Sequence, residues 1–372
     1  MVTAQRKIAV GLLFGGRSAE HDVSRASAAN VLRALDPDRY EVSLVGISRD
    51  GRWLVCDAGN GGGTGTAALT IPDDAPQLGL IPGGRGRFVL CDGEGSTSGV
   101  ARSFDVLFPV LHGPNGEDGT VQGALELADV PYVGAAVMGS AAAMDKDVAK
   151  RLMRDAGLPV VPFITLRSTS MIDYNAAVAA LGAADLFVKP ANMGSSVGVS
   201  GAKSGAQFEA ACALALRYDH KILVERGLVG AREIECSVLE EPDGLIRASQ
   251  VGEIVPADKH GFYSYEAKYL DADGAALRIP ADVTSQQTRR IQELAVEAFR
   301  VLNCEGMGRV DFFLSGEEIF VNEINTLPGF TSISMYPKLW EASGLPQSKL
   351  MDKLILHALA RHERRRAVST QR

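Results

Sequence analysis

Arg309, Asp311, Glu323 and Asn325 fall in one short segment, GRVDFFLSGEEIFVNEIN, which reads as two alternating strands joined by a tight turn. A turn centred on Glu317 sets Asp311 opposite Glu323 and Arg309 opposite Asn325. The two-residue period of a strand then puts all four on one face of the sheet. Directly opposed carboxylates repel unless a cation lies between them. Carboxylate and amide oxygens are the hard ligands that Mg²⁺ takes while keeping room for phosphates. The intervening Val310, Phe312, Leu314 and Ile324 face a core on the other side. A solvent-facing polar stripe paired by chance remains the alternative at this stage.

A Mg²⁺ site of this kind suggests a nucleotide, yet neither GxxxxGK[ST] nor a GxGxxG that follows a strand and opens a helix is present. What remains for phosphates is Lys189 at a strand end, Lys146 on a helix, and the loop Gly194, Ser195, Ser196, Val197, Gly198. Glycines let backbone N–H groups approach an anion, and serines add donors. One lysine alone reads as a surface charge; the combination is what informs. The segment HGPNGEDGT follows a buried strand and precedes a helix, the place where ligands gather in open α/β sheets. On its own, His112 reads as a structural histidine capping that turn. Glu20, in the loop after the first strand, reads alone as a solvated glutamate.

These residues need a frame. IAVGLLFGG, a helix over about 22–35 and YEVSLVGI give a βαβ start. Residues 52–102 hold short β-like runs, RWLVC and RFVLC, broken by GNGGGTGT, PGGRGR and GEGSTSG, and these Gly- and Ser-rich clusters read as solvated loops decorating the first domain. A strand, FDVLFPVLHG, and a helix, GTVQGALELA, complete residues 1–134. A second α+β unit over 135–225 opens with the helix MDKDVAKRLMRDAG and contains the strands LFVKP and KILVERGL. The third unit, 226–372, has two hairpins, a Tyr-rich loop near 260–270, a long helix over 284–303 and a closing helix over about 347–361. Its basic tail, RHERRRAVSTQR, reads as a solvated frayed end.

Composition narrows the classes. Lys plus Arg number 38 against 45 for Asp plus Glu, a net charge of -7, so no general basic field attracts nucleic acid or an anionic membrane. The 5 cysteines are scattered without a CxxC pair, which argues against a disulfide framework or a zinc site and favours a reducing cytosol. With no apolar run approaching a membrane span, the expected location is cytoplasmic. A chain of 372 residues has room for two or three domains.

Taken together the segments LFGGRSAEHDVS, VLHGPNGEDGTVQG, MDK, FVKPANMGSSVGVS, FYSYEAKYL, GMGRVDFFL and VNEINTLPGFTSISMYP resemble the D-alanine:D-alanine ligase family of the ATP-grasp superfamily. The resemblance covers the chain except for about 58–102. It implies α/β and α+β architecture: a three-domain ATP-grasp fold with an N-terminal open α/β domain, and ATP between the second and third domains. It implies that Lys146 and Lys189 contact the phosphates, that the loop from Ser195 through Ser196 and Val197 closes over them, and that Lys268 lies near the γ-phosphate. Glu225, Arg226, Gly227 and Leu228 match the hinge beside adenine, and Glu233 matches the ribose ligand. Asp311, Glu323 and Asn325 match the ligands of Mg²⁺, two ions in all, replaceable by Mn²⁺.

For the amino acids, the resemblance implies that Glu20 holds the ammonium of the first D-alanine with His112 close by. Ser334 and the Met335 backbone receive the carboxylate of the second, and Arg309 with the Gly329 N–H stabilises an oxyanion. Tyr269 and Ser195 link the loop to Glu20 on closure. The implied reaction is ATP-dependent formation of D-alanyl-D-alanine through an acyl phosphate, for peptidoglycan precursors, by a homodimer. The EAKY segment favours D-alanine over D-lactate as acceptor. The competing readings are a D-alanyl-D-lactate or D-alanyl-D-serine ligase, another ATP-grasp carboxylate–amine ligase, or an ATP-binding regulatory module without catalysis. A nicotinamide-dependent dehydrogenase lacks its glycine fingerprint here.

Overall fold

The computed structural model describes residues 6–56, 68–91, 97–256 and 275–368. The chain begins β1 (Ile8–Gly15), α1 (His21–Ala34), β2 (Tyr40–Ile47), and β1 pairs in parallel with both β2 and β7 (Val106–Val110). Neighbours and helices cover β1, which is why it is apolar almost throughout instead of alternating. Between β2 and β7 lie β3 (Trp53–Cys56), β4 (Gln77–Leu80), β5 (Arg87–Cys91) and β6 (Thr97–Ser103), and the sheet order is β6-β5-β4-β3-β2-β1-β7. The β-like runs RWLVC and RFVLC extend the sheet antiparallel as β3 and β5, whereas the end of the cluster GEGSTSG lies in β6 and not in a loop, and GNGGGTGT falls outside the described residues. Gly79 permits the close pairing, since a Cβ there would lie 2.8 Å from the Val89 side chain and 2.9 Å from Cys91 Sγ.

After α2 (Thr120–Leu127) come α3 (Val137–Met144), which the sequence reading missed, and α4 (Lys146–Asp155). Asp145 caps α4 by accepting from the N–H groups of Asp147 and Val148 at 3.1 Å each, fixing where Lys146 enters the helix. A second sheet contains β8 (Phe163–Leu166), β9 (Leu186–Pro190), β10 (Ser200–Ala202) and β11 (Ile222–Arg226), in the order β10-β9-β11-β8, with α5 (Tyr174–Leu181) and α6 (Gly205–Ala215). A third, antiparallel sheet has β12 (Arg232–Glu240), β13 (Ile246–Pro256), β14 (Ala275–Arg278), β15 (Met307–Ser315) and β16 (Glu318–Asn325), in the order β14-β13-β12-β15-β16.

The long helix α7 (Ser285–Val301) packs Ile291, Leu294, Ala298 and Phe299 against Val310, Phe312, Leu314 and Ile324, covering one face of the third sheet. The polar residues of β15 and β16 are thereby left to the other face. Asp311 pairs with Glu323 and Arg309 with Asn325, as the alternation required. The path to that register differs from the one expected. Ser315 pairs with Glu318, so the turn is centred between Gly316 and Glu317, and an irregularity after Asp311, which skips Asn322, restores the expected partners. The inserted residue is a β-bulge of the kind that re-aims side chains beside functional sites.

Two closing helices follow, α8 (Met335–Ala342) and α9 (Gln347–Arg366). The apolar face of α9 joins the core of the first sheet through Leu350, Leu354 and Ile355. Its basic end is not frayed as expected, because helix continues to Arg366 and Arg361 is 3% exposed. That guanidinium donates to the carbonyls of Gly134 and Tyr132 and lies 4.5 Å from the Tyr132 ring centroid. These bonds tie the end of the chain to the segment after β7.

Candidate active site

A cleft opens between the second and third sheets. Lys146 and Lys189 stand on one side and Asp311 and Glu323 on the other, with Ser195 and Ser196 at its mouth. Lys146 Nζ donates to the Met193 carbonyl at 2.8 Å and pairs with Glu323 Oε2 at 3.2 Å. Lys189 Nζ pairs with Glu225 Oε2 at 2.8 Å and donates to Asn322 Oδ1 at 3.2 Å. The bulged residue of β16 therefore also helps hold a lysine of the facing sheet.

A third lysine stands behind these two, and sequence reasoning missed it. Lys150 is fully buried on α4, one turn after Lys146, and its Nζ lies 3.1 Å from Glu225 Oε1. Burial pushes the Lys150 ammonium down to about 8, against the attraction of Glu225. Burial also works against the Glu225 carboxylate, but Lys150 and Lys189 outweigh it and hold its pKa below the usual range. The signal for Lys150 was its place on the inward stripe of α4, where Ala149 and Met153 are buried.

The other proposed nucleotide residues lie along the same cleft. Arg226, Leu228 and Glu233 line it, whereas the Gly227 N–H is bonded to the Asp185 carbonyl at 2.7 Å. The Arg226 guanidinium lies 5.7 Å from the Phe320 ring centroid. In the serine loop, Ser195 and Ser196 adopt φ of 51° and 58°, and the Val197 N–H turns back to the Gly194 carbonyl at 3.1 Å. Two successive non-glycine residues in the left-handed region mark stored backbone strain.

The loop is latched to the first domain, because Ser195 Oγ donates to Glu20 Oε1. Glycines make the approach possible: a Cβ on Gly194 or on Gly113 would sit 3.0 Å from Glu20 Oε2. His112 Nδ1 lies 3.0 Å from the Leu327 carbonyl and its Nε2 3.3 Å from Ser27 Oγ, which accepts from the Phe330 N–H at 3.2 Å. These bonds close consistently with the proton on Nδ1 and Ser27 donating to Nε2. Burial holds the His112 pKa below its usual value, favouring the neutral ring.

Glu117, not singled out from the sequence, accepts from the N–H groups of Gly113 at 2.8 Å and Leu327 at 3.2 Å. It clamps the His112 loop to the loop bearing Gly329. Burial pushes its carboxyl up to about 8, and the nearby charge of Glu20 adds to the shift. Gly329 lies against Ser334, whose Oγ would be 2.7 Å from a Cβ there and accepts from the Thr331 N–H at 2.9 Å. The Met335 side chain is buried with Ile254 and Leu339, which leaves only the backbone of this helix-opening residue for any contact outside the core. Lys268 and Tyr269, with the Tyr-rich loop, lie outside the described residues.

Arg309 joins the two neighbourhoods. Its Nε lies 2.7 Å from Asp311 Oδ1 and 2.9 Å from Glu235 Oε2, and a terminal nitrogen donates to Asp311 Oδ2 at 2.8 Å. Burial disfavours the charge, but the two carboxylates outweigh it and raise the guanidinium pKa well above its ordinary value. Asn325 Nδ2 donates to the same Asp311 oxygen at 3.0 Å. Among the described residues no group of three or more His, Cys, Asp or Glu side chains is gathered as a metal cluster. Asp311 and Glu323 nonetheless line the cleft with two lysines, Asn325 is bonded to Asp311, and the hard oxygen donors of this set fit Mg²⁺ chemically.

Two facing sheets, one carrying lysines and a serine–glycine loop and the other acidic side chains, place the chain among the ATP-grasp enzymes. The family descriptions D-ala D-ala ligase N-terminus and D-ala D-ala ligase C-terminus match residues 9–135 and 152–356, and the chain belongs to the D-alanine–D-alanine ligase family. It is 73% identical over 369 residues to D-alanine–D-alanine ligase B of Bradyrhizobium diazoefficiens, covering 99% of this chain and 98% of that protein. The solved D-alanine-D-alanine ligase of Coxiella burnetii is 36% identical with a TM-score of 0.82, covering 97% of this chain and 96% of the other. The VanG D-Ala:D-Ser ligase of Enterococcus faecalis is 32% identical with a TM-score of 0.78, covering 95% of this chain and 100% of the other.

Proposed function

We propose that this chain condenses two D-alanines to D-alanyl-D-alanine with cleavage of ATP to ADP and phosphate, for peptidoglycan precursors. The observation that carries the reading is the cleft in which Lys146 and Lys189 face Asp311 and Glu323 while Ser195 reaches Glu20. Lys146 and Lys189 neutralise the nucleotide phosphates, the loop 195–198 covers them, residues 225–228 border adenine, and Glu233 takes the ribose. Because the Glu225 carboxylate is held by two lysines, its contact with adenine comes from the backbone. Asp311, Glu323 and Asn325 would hold Mg²⁺ or Mn²⁺, which when bound neutralises charge on the migrating phosphoryl group.

Glu20, beside His112, anchors the ammonium of the first D-alanine, whose carboxylate becomes the acyl phosphate. Ser334 and the Met335 backbone orient the second by its carboxylate, so that its amine attacks. Arg309 and the Gly329 N–H stabilise the tetrahedral oxyanion, and phosphate leaves. The serine loop excludes water that would hydrolyse the acyl phosphate. In the division 1–134, 135–225 and 226–372 the nucleotide falls between the second and third units, and the first brings Glu20 to the serine loop of the second. No helix among the described residues is long and apolar enough to cross a membrane, and ATP use points to the cytoplasm. A homodimer is the assembly the family resemblance implies, and light scattering would test it.

Mass spectrometry of the products formed from ATP, Mg²⁺ and D-alanine, alone or with D-serine or D-lactate, tests the reading. The expected product is D-alanyl-D-alanine in every mixture. A mixed dipeptide or a depsipeptide as the main product would reassign the acceptor, and nucleotide binding without any product would leave only a binding module.

The buried lysine makes a separate expectation. As pH rises through about 8, Lys150 loses its proton and Glu225 draws on Lys189 alone, so ATP affinity falls. Lys150→Met removes that alkaline decline, giving a flatter calorimetric profile between about pH 7 and 9.5. A decline identical to that of the parent chain would exclude Lys150 as its source.

A further inference from the structure

The third sheet carries an acidic residue that neither the hairpin reading nor the proposed mechanism uses. Glu235 on β12 pairs with Asp311 on β15, which pairs with Glu323 on β16, so three carboxylates form a row across three strands. Glu235 is 5% exposed, and on β12 it shares the cleft face with Glu233 two residues earlier.

Arg309 is the cation inside this row. Its Nε donates to Asp311 Oδ1 and a terminal nitrogen donates to the second Asp311 oxygen, while Glu235 Oε2 lies 2.9 Å from the same Nε as a close ion-pair partner. With Asn325 added, protein donors engage both oxygens of Asp311, a residue proposed to coordinate a divalent cation. A guanidinium cannot shed its charge, and a buried charge stripped of its partner is strongly penalised. For Asp311 to turn towards a metal, Arg309 needs a second anion that stays in place.

We propose that Glu235 is a positioning residue that retains the Arg309 guanidinium when Asp311 releases it to coordinate a divalent cation. The proposal rests on the reading of Asp311 as a metal ligand. With Glu235 present, the ion competes for one of two carboxylates on Arg309. Without it, the ion must take the arginine's last partner, and metal binding weakens. Retention by Glu235 also keeps the guanidinium where an oxyanion develops.

The test is Mn²⁺ binding in the presence of ADP, read from the electron paramagnetic resonance of the free ion, with no turnover required. Glu235→Gln is expected to raise the Mn²⁺ dissociation constant about tenfold or more in the parent chain, and by less than about twofold in an Arg309→Gln background. An equal loss in both backgrounds would show that Glu235 acts by its own charge and overturn the proposal; so would no loss in either. If Glu235→Gln does not fold, Glu235→Asp, which keeps the charge but shortens its reach to Arg309, takes its place in both backgrounds: a loss confined to the parent chain supports the proposal, and an equal loss or none in either overturns it. Asp311→Asn tests the underlying reading separately, because unchanged Mn²⁺ binding there removes Asp311 from the metal site.

Discussion

Arg309→Gln lowers kcat by about 10²- to 10³-fold and leaves ATP affinity within about twofold, because one preorganised oxyanion donor contributes on that scale and only in the transition state. Arg309 is paired with Asp311 and Glu235, keeps Glu235 when Asp311 turns to a metal, and is largely withdrawn from water, its side chain being 18% exposed. Such a charge does not have to reorganise when the tetrahedral intermediate forms. The same pairing gives the substitution a stability cost of about 3–5 kcal/mol, since it strands two carboxylates. Kinetics are therefore measured below the lowered melting temperature, with calorimetry of ATP binding on the same sample. Arg309→Lys keeps a charge but loses the fork that grips Asp311 at two atoms, so its kcat falls between the two. A kcat for Arg309→Gln within threefold of the parent would remove this residue from the oxyanion role.

The hairpin that carries Arg309 shows what alternation can and cannot reveal. Val310, Phe312 and Leu314 against Arg309 and Asp311 marked the two faces of β15 without ambiguity, and those faces are observed. The bulge on β16 was hidden because Asn322 and Glu323 are both polar, so skipping one leaves the pattern intact. Helix α8 was hidden by Pro337, which reads as a breaker yet sits in the first turn, where its missing N–H is not needed. The strand QLGL is too short and too glycine-bearing to stand out, and only its neighbours in the sheet make it a strand. The site failed to show itself in the same way. Lys150 and Glu235 carry charges that default to the surface, and their partners, at positions 225 and 309, are distant in sequence.

Glu20→Ala is expected to reduce kcat/KM for D-alanine by about 2–5 kcal/mol, roughly thirtyfold to several thousandfold, since it removes a charged partner from a closed site. Two losses combine. In the proposed roles the ammonium of the first D-alanine forfeits its counter-charge, and Ser195 forfeits the acceptor that holds its loop to Glu20. The conservative variants separate them. Glu20→Gln keeps a carbonyl acceptor for Ser195 while removing the charge, so it raises KM for D-alanine and leaves the loop closed. Ser195→Ala keeps the charge and breaks the latch, so acyl phosphate is exposed to water and ATP is hydrolysed without dipeptide. Gly113→Ala and Gly194→Ala push a methyl to within 3.0 Å of Glu20 Oε2 and should show both defects, more weakly. Initial rates of phosphate release and of dipeptide formation, measured side by side, distinguish these cases. Equal ratios of the two rates in Ser195→Ala and the parent chain would mean that the contact to Glu20 does not keep water from the intermediate.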